Sequence, residues 1–336
     1  MPEERRDSGV EREYAPFSSV TPDDRDPDVP DRLIAIVGPT AAGKTELAMR
    51  LAQFIPVEII GADSRQVYRY MDIGTAKPSP EDQKLVQHHL VDIIDPSDEF
   101  SLSEYICRVK LANRIAKSNN NVPILVGGTG QYVMAVLEGW KVPRIAPDPE
   151  LRARLEDDLL TNGLELILDE LRSQDLAAWE SVDKRNPRRV IRAIERARSG
   201  HRWGEKPVQA RPSFEATVVG ISGERAELHA RADRRFDQMM KNGFMDEVQW
   251  LLESGYGPEL PAMSGIGYSE LADHLLNETD LQLAVQRAKF RTHRYIRQQS
   301  NWFKASDERI TWFNWAGIDR AVDFVRAAFE ESPHKA

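Results

Sequence analysis

Residues 33–45 read LIAIVGPTAAGKT. The first five are apolar without a break, as expected of a strand buried on both faces. Gly38, Pro39, Thr40, Ala41, Ala42, Gly43, Lys44 and Thr45 then follow the spacing G-x-x-x-x-G-K-[ST]. Two glycines let backbone N–H groups converge on phosphate oxygens. Lys44 adds a point charge, Thr45 offers a hydroxyl to Mg²⁺, and a helix N-terminus behind the loop favours the anion. That helix is supplied by ELAMRLAQFI (46–55), where Leu47, Ala48, Leu51, Ala52 and Ile55 share one face. The loop specifies a polyphosphate without specifying which one.

The same alternation continues outward. VEII (57–60) and VPILVGGTG (122–130) read as further buried strands. Ser79 and Pro80 supply an N-cap and a first helical position. ATVVGIS (216–222) and ITWF (310–313) return as strands, with three or four helices between them. Strands alternating with helices predict an α/β fold, a P-loop-type parallel sheet with helices on both faces. Between the two halves the pattern is helical only, with caps at Asp148–Pro149 and Asn186–Pro187 and a stop at Gly200. The expected divisions are an acidic tail (1–31), the first part of the core (32–137) and an all-helical insertion (138–215). The second part of the core (216–320) and a C-terminal helix and tail (321–336) follow.

A chain of 336 residues can hold about two domains and bury a substantial core. No run of 18 apolar residues occurs, so no membrane span is expected. One cysteine, Cys107, excludes an intramolecular disulfide and a Cys-based zinc site and fits a reducing cytoplasm. The histidines lack metal-ligand spacing. The net charge of -9 argues on average against a polyanion partner, but residues 1–30 alone hold nine acidic residues against four basic ones. With five prolines and few large apolar residues, that segment is expected to be disordered.

Asp63 falls at the carboxyl end of the second strand, where ligands of open parallel sheets bind. There it can serve as a general base toward a nucleophile facing the phosphate, or simply as a polar turn residue. A nucleotide hydrolase would need an apolar strand ending in an Mg²⁺-binding aspartate. LVDIID (90–95) is the only candidate, through Asp92 or Asp95, and it is short. Two basic runs break the acidic average. Residues 184–198 hold seven Lys/Arg against Glu195, and residues 287–304 hold six with no acid. Arg287, Arg291, Arg294 and Gln298 share a helical face, which favours polyanion contact over a merely solvated surface. The interleaved Phe290, Tyr295, Trp302 and Phe303 read as core.

Taken in order, GPTAAGKT, ADSRQVYRYMDIGTAKP, HHLVDIIDP, PILVGGTGQY, DPELR, NPRRVIRAIE, GIGYSE and RQQSNWFK resemble the tRNA dimethylallyltransferases over about residues 32–315. The resemblance implies transfer of a dimethylallyl group from dimethylallyl diphosphate to N6 of adenosine 37, 3′ of the tRNA anticodon, with release of diphosphate. It implies that Asp63 takes the N6 proton, that Gly38 to Thr45 hold the diphosphate with Mg²⁺ at Thr45, and that Arg231 supports the leaving group. It places Asp63, Ser64, Arg65 and Gln66 at the target base and its neighbours, Thr129 and Arg152 at tRNA-contact positions, and Arg188, Arg189 and Arg192 on the anticodon stem-loop. The implied partners are tRNA and dimethylallyl diphosphate, for a monomer in the cytoplasm. Departures are Gln131, His293 and Gln298, and the absence of a cysteine-bearing zinc finger points to the bacterial type. Competing readings are a small-molecule P-loop kinase, an adenylate isopentenyltransferase and an RNA-binding ATPase. The arginine-rich insertion weighs against the first two, and the lack of a clear Mg²⁺ aspartate against the third.

Overall fold

The computed structural model describes residues 31–142, 145, 148–201, 208–209 and 214–330. Nearly all of the expected acidic tail, and residues 331–336 of the C-terminal one, lie outside them. The chain divides into two compact units, Met1–Gly139 with Pro212–Ala336, and Trp140–Arg211.

In the larger unit β1 (Asp31–Val37), α1 (Lys44–Leu51), β2 (Val57–Ala62), α2 (Pro80–Leu85) and β3 (His88–His89) come first. They are followed by α3 (Leu102–Ser118), β4 (Val122–Gly127) and α4 (Gly130–Leu137). The smaller unit holds β5 (Trp140–Lys141), α5 (Pro149–Asn162), α6 (Leu164–Gln174), α7 (Leu176–Ser181), α8 (Pro187–Arg198) and β6 (Val208–Gln209). The larger unit resumes with β7 (Phe214–Ser222), α9 (Arg225–Lys241), α10 (Phe244–Glu253) and α11 (Tyr268–Asn277). It ends with α12 (Leu281–Trp302), β8 (Ile310–Asn314) and α13 (Ile318–Glu330).

Six strands form one parallel sheet in the order β3-β2-β4-β1-β7-β8. Alternation along β1 shows why both faces must be covered. Leu33, Ala35 and Val37 enter a core shared with α3, α4 and the helices after β7, whereas Ile34 and Ile36 enter one shared with α1 and α13. A strand apolar on both faces stays buried only between two helical layers. Because β4 inserts between β2 and β1, the carboxyl ends of those three strands lie side by side, and ligands of such sheets bind there.

LVDIID does not extend β3. The strand ends at His89, and Leu90 and Asp92 adopt φ of 62° and 57°, a left-handed backbone that no strand can continue through. Lys77 binds the Asp92 carboxylate at 2.5 Å, and Asp95 accepts from Ser97 and Tyr256. Neither aspartate is placed as the metal ligand of a hydrolase.

Expected caps are present. Asp148 accepts from Leu151 N–H, Asn186 from Arg189 N–H, and Ser79 and Asp82 form a reciprocal capping box. The smaller unit encloses its own core, including Leu155, Ile167, Leu171, Val190 and Ile194. It also carries an antiparallel pair that the helical pattern gave no sign of, Trp140 opposite Gln209. Two residues per strand are too few to register as a period. Of the four aromatics of α12 and its end read as core, Phe303 is buried, whereas Phe290 and Trp302 are exposed.

Candidate active site

The loop that follows β1 runs through unusual backbone conformations. Gly38 has φ 139° and lies so close to the Ile221 carbonyl of β7 that a Cβ there would overlap it. Ala41 takes φ 64°, a left-handed conformation uncommon for a residue with a side chain and typical of functional turns. Lys44 opens α1 and donates to the Pro39 carbonyl at 2.8 Å. Burial, then the like charge of Arg235, lower its ammonium pKa to about 8 against an opposing pull from Asp63. Thr45 is exposed, and its hydroxyl has no hydrogen-bond partner among the described residues.

Two arginines one turn apart on α9 reach this loop. Arg231 Nε donates to the Ala41 carbonyl at 2.9 Å and stacks over Trp315 at 4.4 Å. Arg235 Nη2 donates to Thr40 Oγ1 at 2.5 Å. Sequence reading picked Arg231 and missed Arg235. The signal was available in the four-residue spacing, which puts both on one helix face.

Beyond β2, Asp63 Oδ1 accepts from Arg65 N–H at 2.8 Å and Gln66 N–H at 3.4 Å. The turn-residue reading is therefore true of one oxygen, while Oδ2 accepts no hydrogen bond among the described residues. Ser64 N–H donates to Thr129 Oγ1 at 3.1 Å, joining the ends of β2 and β4. Arg65 spends its guanidinium on the Pro261 and Ala262 carbonyls and Ser264 Oγ, and Gln66 spends its amide on the Thr75 and Ala76 carbonyls. Both side chains thereby order neighbouring loops. The 72–74 segment is held by Glu247, which accepts all three of its N–H groups together with the Tyr268 hydroxyl. Gly74 is required there, since a Cβ would overlap the Phe244 ring.

A cleft of about 470 Å³ is lined among others by Thr40, Asp63, Arg65, Arg235, Arg291 and Arg294, while Lys44, Thr45, Gln66 and Thr129 are not among its lining residues. Asp63 is the only acidic residue lining it among the described residues, and Arg231 does not line it. One wall comes from the basic run of α12. Arg291 is paired with Glu270, and Arg287, outside the cleft lining, with Asp273, whereas the Arg294 side chain has no partner among the described residues. Ala232, Phe236, Met239 and Tyr268 make the cleft apolar on another side.

No group of three or more His, Cys, Asp or Glu capable of holding a metal occurs among the described residues. The donors present, the Thr45 hydroxyl and one carboxylate, nevertheless suit Mg²⁺, which keeps several waters and takes most remaining ligands from substrate phosphates.

In the smaller unit the expected arginines separate into two kinds. Arg152 and Arg192 both bind Glu195, at 2.6 and 2.8 Å, although its carboxylate side chain is only 1% exposed. Burial pushes the Glu195 carboxyl up, and the two arginines more than undo it, leaving it below its usual range. Arg188 and Arg189 are exposed at the start of α8, and the Arg189 side chain has no partner among the described residues.

The family model described as IPP transferase matches residues 66–306, and one described as isopentenyl transferase matches residues 31–96. The tRNA dimethylallyltransferase of Chloroflexus aurantiacus is 45% identical over 283 residues, covering 84% of this chain and 96% of that protein. That of Roseiflexus castenholzii is 42% identical over 303 residues, covering 89% and 99%. Among solved structures, the tRNA isopentenylpyrophosphate transferase of Bacillus halodurans is similar with a TM-score of 0.66 at 34% identity, over 90% of this chain and 97% of that one. A eukaryotic dimethylallyltransferase acting on tRNA shares the fold, with a TM-score of 0.74 at 23% identity over 91% and 81%.

Proposed function

This chain belongs to the tRNA dimethylallyltransferase family, the IPP transferases, and on that premise we propose that it transfers the dimethylallyl group of dimethylallyl diphosphate to N6 of adenosine 37, 3′ of the anticodon. One observation carries the site-level reading: among the described residues a single carboxylate, Asp63, stands in a cleft that also contains Thr40 of the loop after β1 and four arginines. A phosphoryl-transfer site would be expected to offer more carboxylate for Mg²⁺. An alkyl transfer needs one base and much positive charge.

Gly38 to Thr45 hold the diphosphate. As its bond to C1 of the allyl group breaks, the electron pair leaves on the diphosphate oxygen, and Lys44 and Arg235 meet the growing charge. The adenine amine is a weak nucleophile that depends on orientation, and it forms the new N6–C1 bond. Asp63 takes the N6 proton. Its Oδ1 is fixed by two backbone N–H groups, so Oδ2 is the oxygen left for that transfer. Thr45 would hold Mg²⁺ together with the substrate phosphates, and the ion would supply further neutralisation of the leaving group. The base must be extruded from its stack to reach the site, with Ser64, Arg65, Gln66 and Thr129 bordering it. Arg188 and Arg189 contact phosphates of the anticodon stem-loop, while Arg152 and Arg192, joined through Glu195, hold α8 in shape and add to that contact. No described helix is long and apolar enough to cross a membrane, and the chain is proposed to work as a cytoplasmic monomer.

The test offers labelled dimethylallyl diphosphate with tRNA, with AMP, and in parallel with an ATP hydrolysis assay. Label incorporated at adenosine 37 alone is expected. Label on AMP, or ATP turnover without tRNA labelling, would overturn the proposal.

A further inference from the structure

Gln299 stands on α12 with only 3% of its surface exposed, and the mechanism above leaves its amide unused. Both ends of that amide are engaged. Oε1 accepts Thr40 N–H at 2.8 Å, and Nε2 donates to the Gly128 carbonyl at 2.9 Å. Thr40 lies in the phosphate loop beyond β1, Gly128 lies immediately beyond β4, and those strands are neighbours. The connection continues to the next strand, because Thr129 Oγ1 accepts Ser64 N–H beyond β2. Tyr295, one turn earlier on α12, rests its hydroxyl against Thr129 and Gln299, and burial pushes it up to about 12. The ends of three adjacent strands are thus fastened in a row, from the phosphate loop to the residue after Asp63.

The fit at the middle of this row is close. A Cβ on Gly128 would overlap the Gln299 amide and come within 3.2 Å of the Gly38 carbonyl oxygen. An amide also matches the two ends in a way that its isosteres cannot. Glutamate could accept from Thr40 N–H, but it could not donate to Gly128, and it would set a negative charge beside an anion site. Methionine would fill the volume and leave a half-buried N–H and a buried carbonyl unpaired.

We infer that Gln299 is a positioning residue for the transfer reaction, holding the diphosphate cradle in register with the base side of the cleft so that C1 of the allyl group faces the amine beside Asp63. The inference rests on the dimethylallyl transfer proposed above. It acts through Thr40 and Gly128, not by touching the reacting atoms. A misplacement of about 1 Å between reacting groups is enough to cost up to roughly 100-fold in rate.

The experiment compares the full-length parent with Gln299→Met, Gln299→Glu and Tyr295→Phe. It measures kcat and KM for dimethylallyl diphosphate and for tRNA, tRNA affinity by filter binding, and thermal unfolding. A parent that does not label tRNA would sink the functional proposal itself, a different outcome from failure of this one. Gln299→Met should lose roughly 10- to 100-fold in kcat while tRNA affinity stays within about twofold. Gln299→Glu should show the same loss together with a raised KM for dimethylallyl diphosphate. Tyr295→Phe should lose a few-fold in kcat, and it decides the matter if neither Gln299 variant folds. Kinetic constants within about twofold of the parent in every folded variant would overturn the inference. So would a loss of tRNA affinity and melting temperature in step with kcat, which is the signature of a merely structural amide.

Discussion

The arginines around the phosphate loop and those of the smaller unit carry the same charge and are held in opposite ways. Arg231 and Arg235 donate to a backbone carbonyl and a threonine hydroxyl, which fix the guanidinium without neutralising it. Arg152 and Arg192 converge on the buried Glu195 carboxylate, which fixes them and cancels much of their field. Arg189 is neither fixed nor cancelled by another side chain among the described residues. An anion in the cleft therefore meets, in Arg235, charge that is already oriented, the arrangement that most favours a developing leaving group. An anion approaching α8 meets charge that it must order for itself, which suits a phosphate backbone gripped by number and not by geometry.

Substitutions can break or sharpen this contrast. The largest effect is expected at the only acidic side chain that lines the cleft among the described residues. Asp63→Asn should cut turnover by roughly 10²–10⁴-fold, the span for a positioned general base, with tRNA affinity nearly unchanged. Turnover within a few-fold of the parent would leave Asp63 as no more than a turn residue.

Next comes the oriented guanidinium. Arg235→Ala should lower kcat for dimethylallyl transfer by roughly 10²–10³-fold, as when a preorganised donor to a developing anion is removed. Arg231→Ala, whose side chain does not line the cleft, should cost less. Steady-state kinetics on the two variants would reverse the assignment if Arg231 proved the more costly.

Glu195→Gln keeps the shape and removes the cancelling charge. It should destabilise the smaller unit by about 1–3 kcal/mol, the upper part of the range being tempered by the partial exposure of both arginines. Because the Glu195 carboxyl is held below its usual range in the folded state, this stability is present above the ordinary glutamate range and is lost as pH falls through the depressed value. Melting curves of parent and variant should accordingly converge in acid. A difference that stayed constant with pH would remove the ion pair as its cause.

Arg189→Ala should have the smallest effect. A few-fold weaker tRNA binding is expected, with a log–log salt slope shallower by about one unit or less, and no change in melting temperature. Identical slopes at several salt concentrations would return Arg189 to ordinary surface.

Much of this was legible before any coordinates. The phosphate loop, the buried strands around it and the caps at Ser79, Asp148 and Asn186 obey rules that act over a few residues, so their signals survive in the chain. Asp63 was legible at the end of the second strand, but local pattern alone left it open between base and turn; the resemblance implied the base, and the structure assigns Oδ1 to the turn. Arg235 went unread beside Arg231 for a related reason. Both belong to one helix face, and only the packing of α9 decides which of the two borders the cleft. LVDIID looked like a short strand because its apolar content is right, but the left-handed Leu90 and Asp92 are stabilised by surroundings that composition does not reveal.

What the sequence determined by itself was the frame, a G-x-x-x-x-G-K-[ST] loop opening a parallel sheet and an arginine-rich helical insertion in the same chain. Tertiary structure alone decided which charges remain available within it. Glu195 meets Arg152 across 43 residues, and Gln299 meets Thr40 across 259. Whether a guanidinium keeps its field, or an amide ties two strand ends together, depends on a partner that far away in the chain, and such partners are chosen by folding the whole core and not by any local preference.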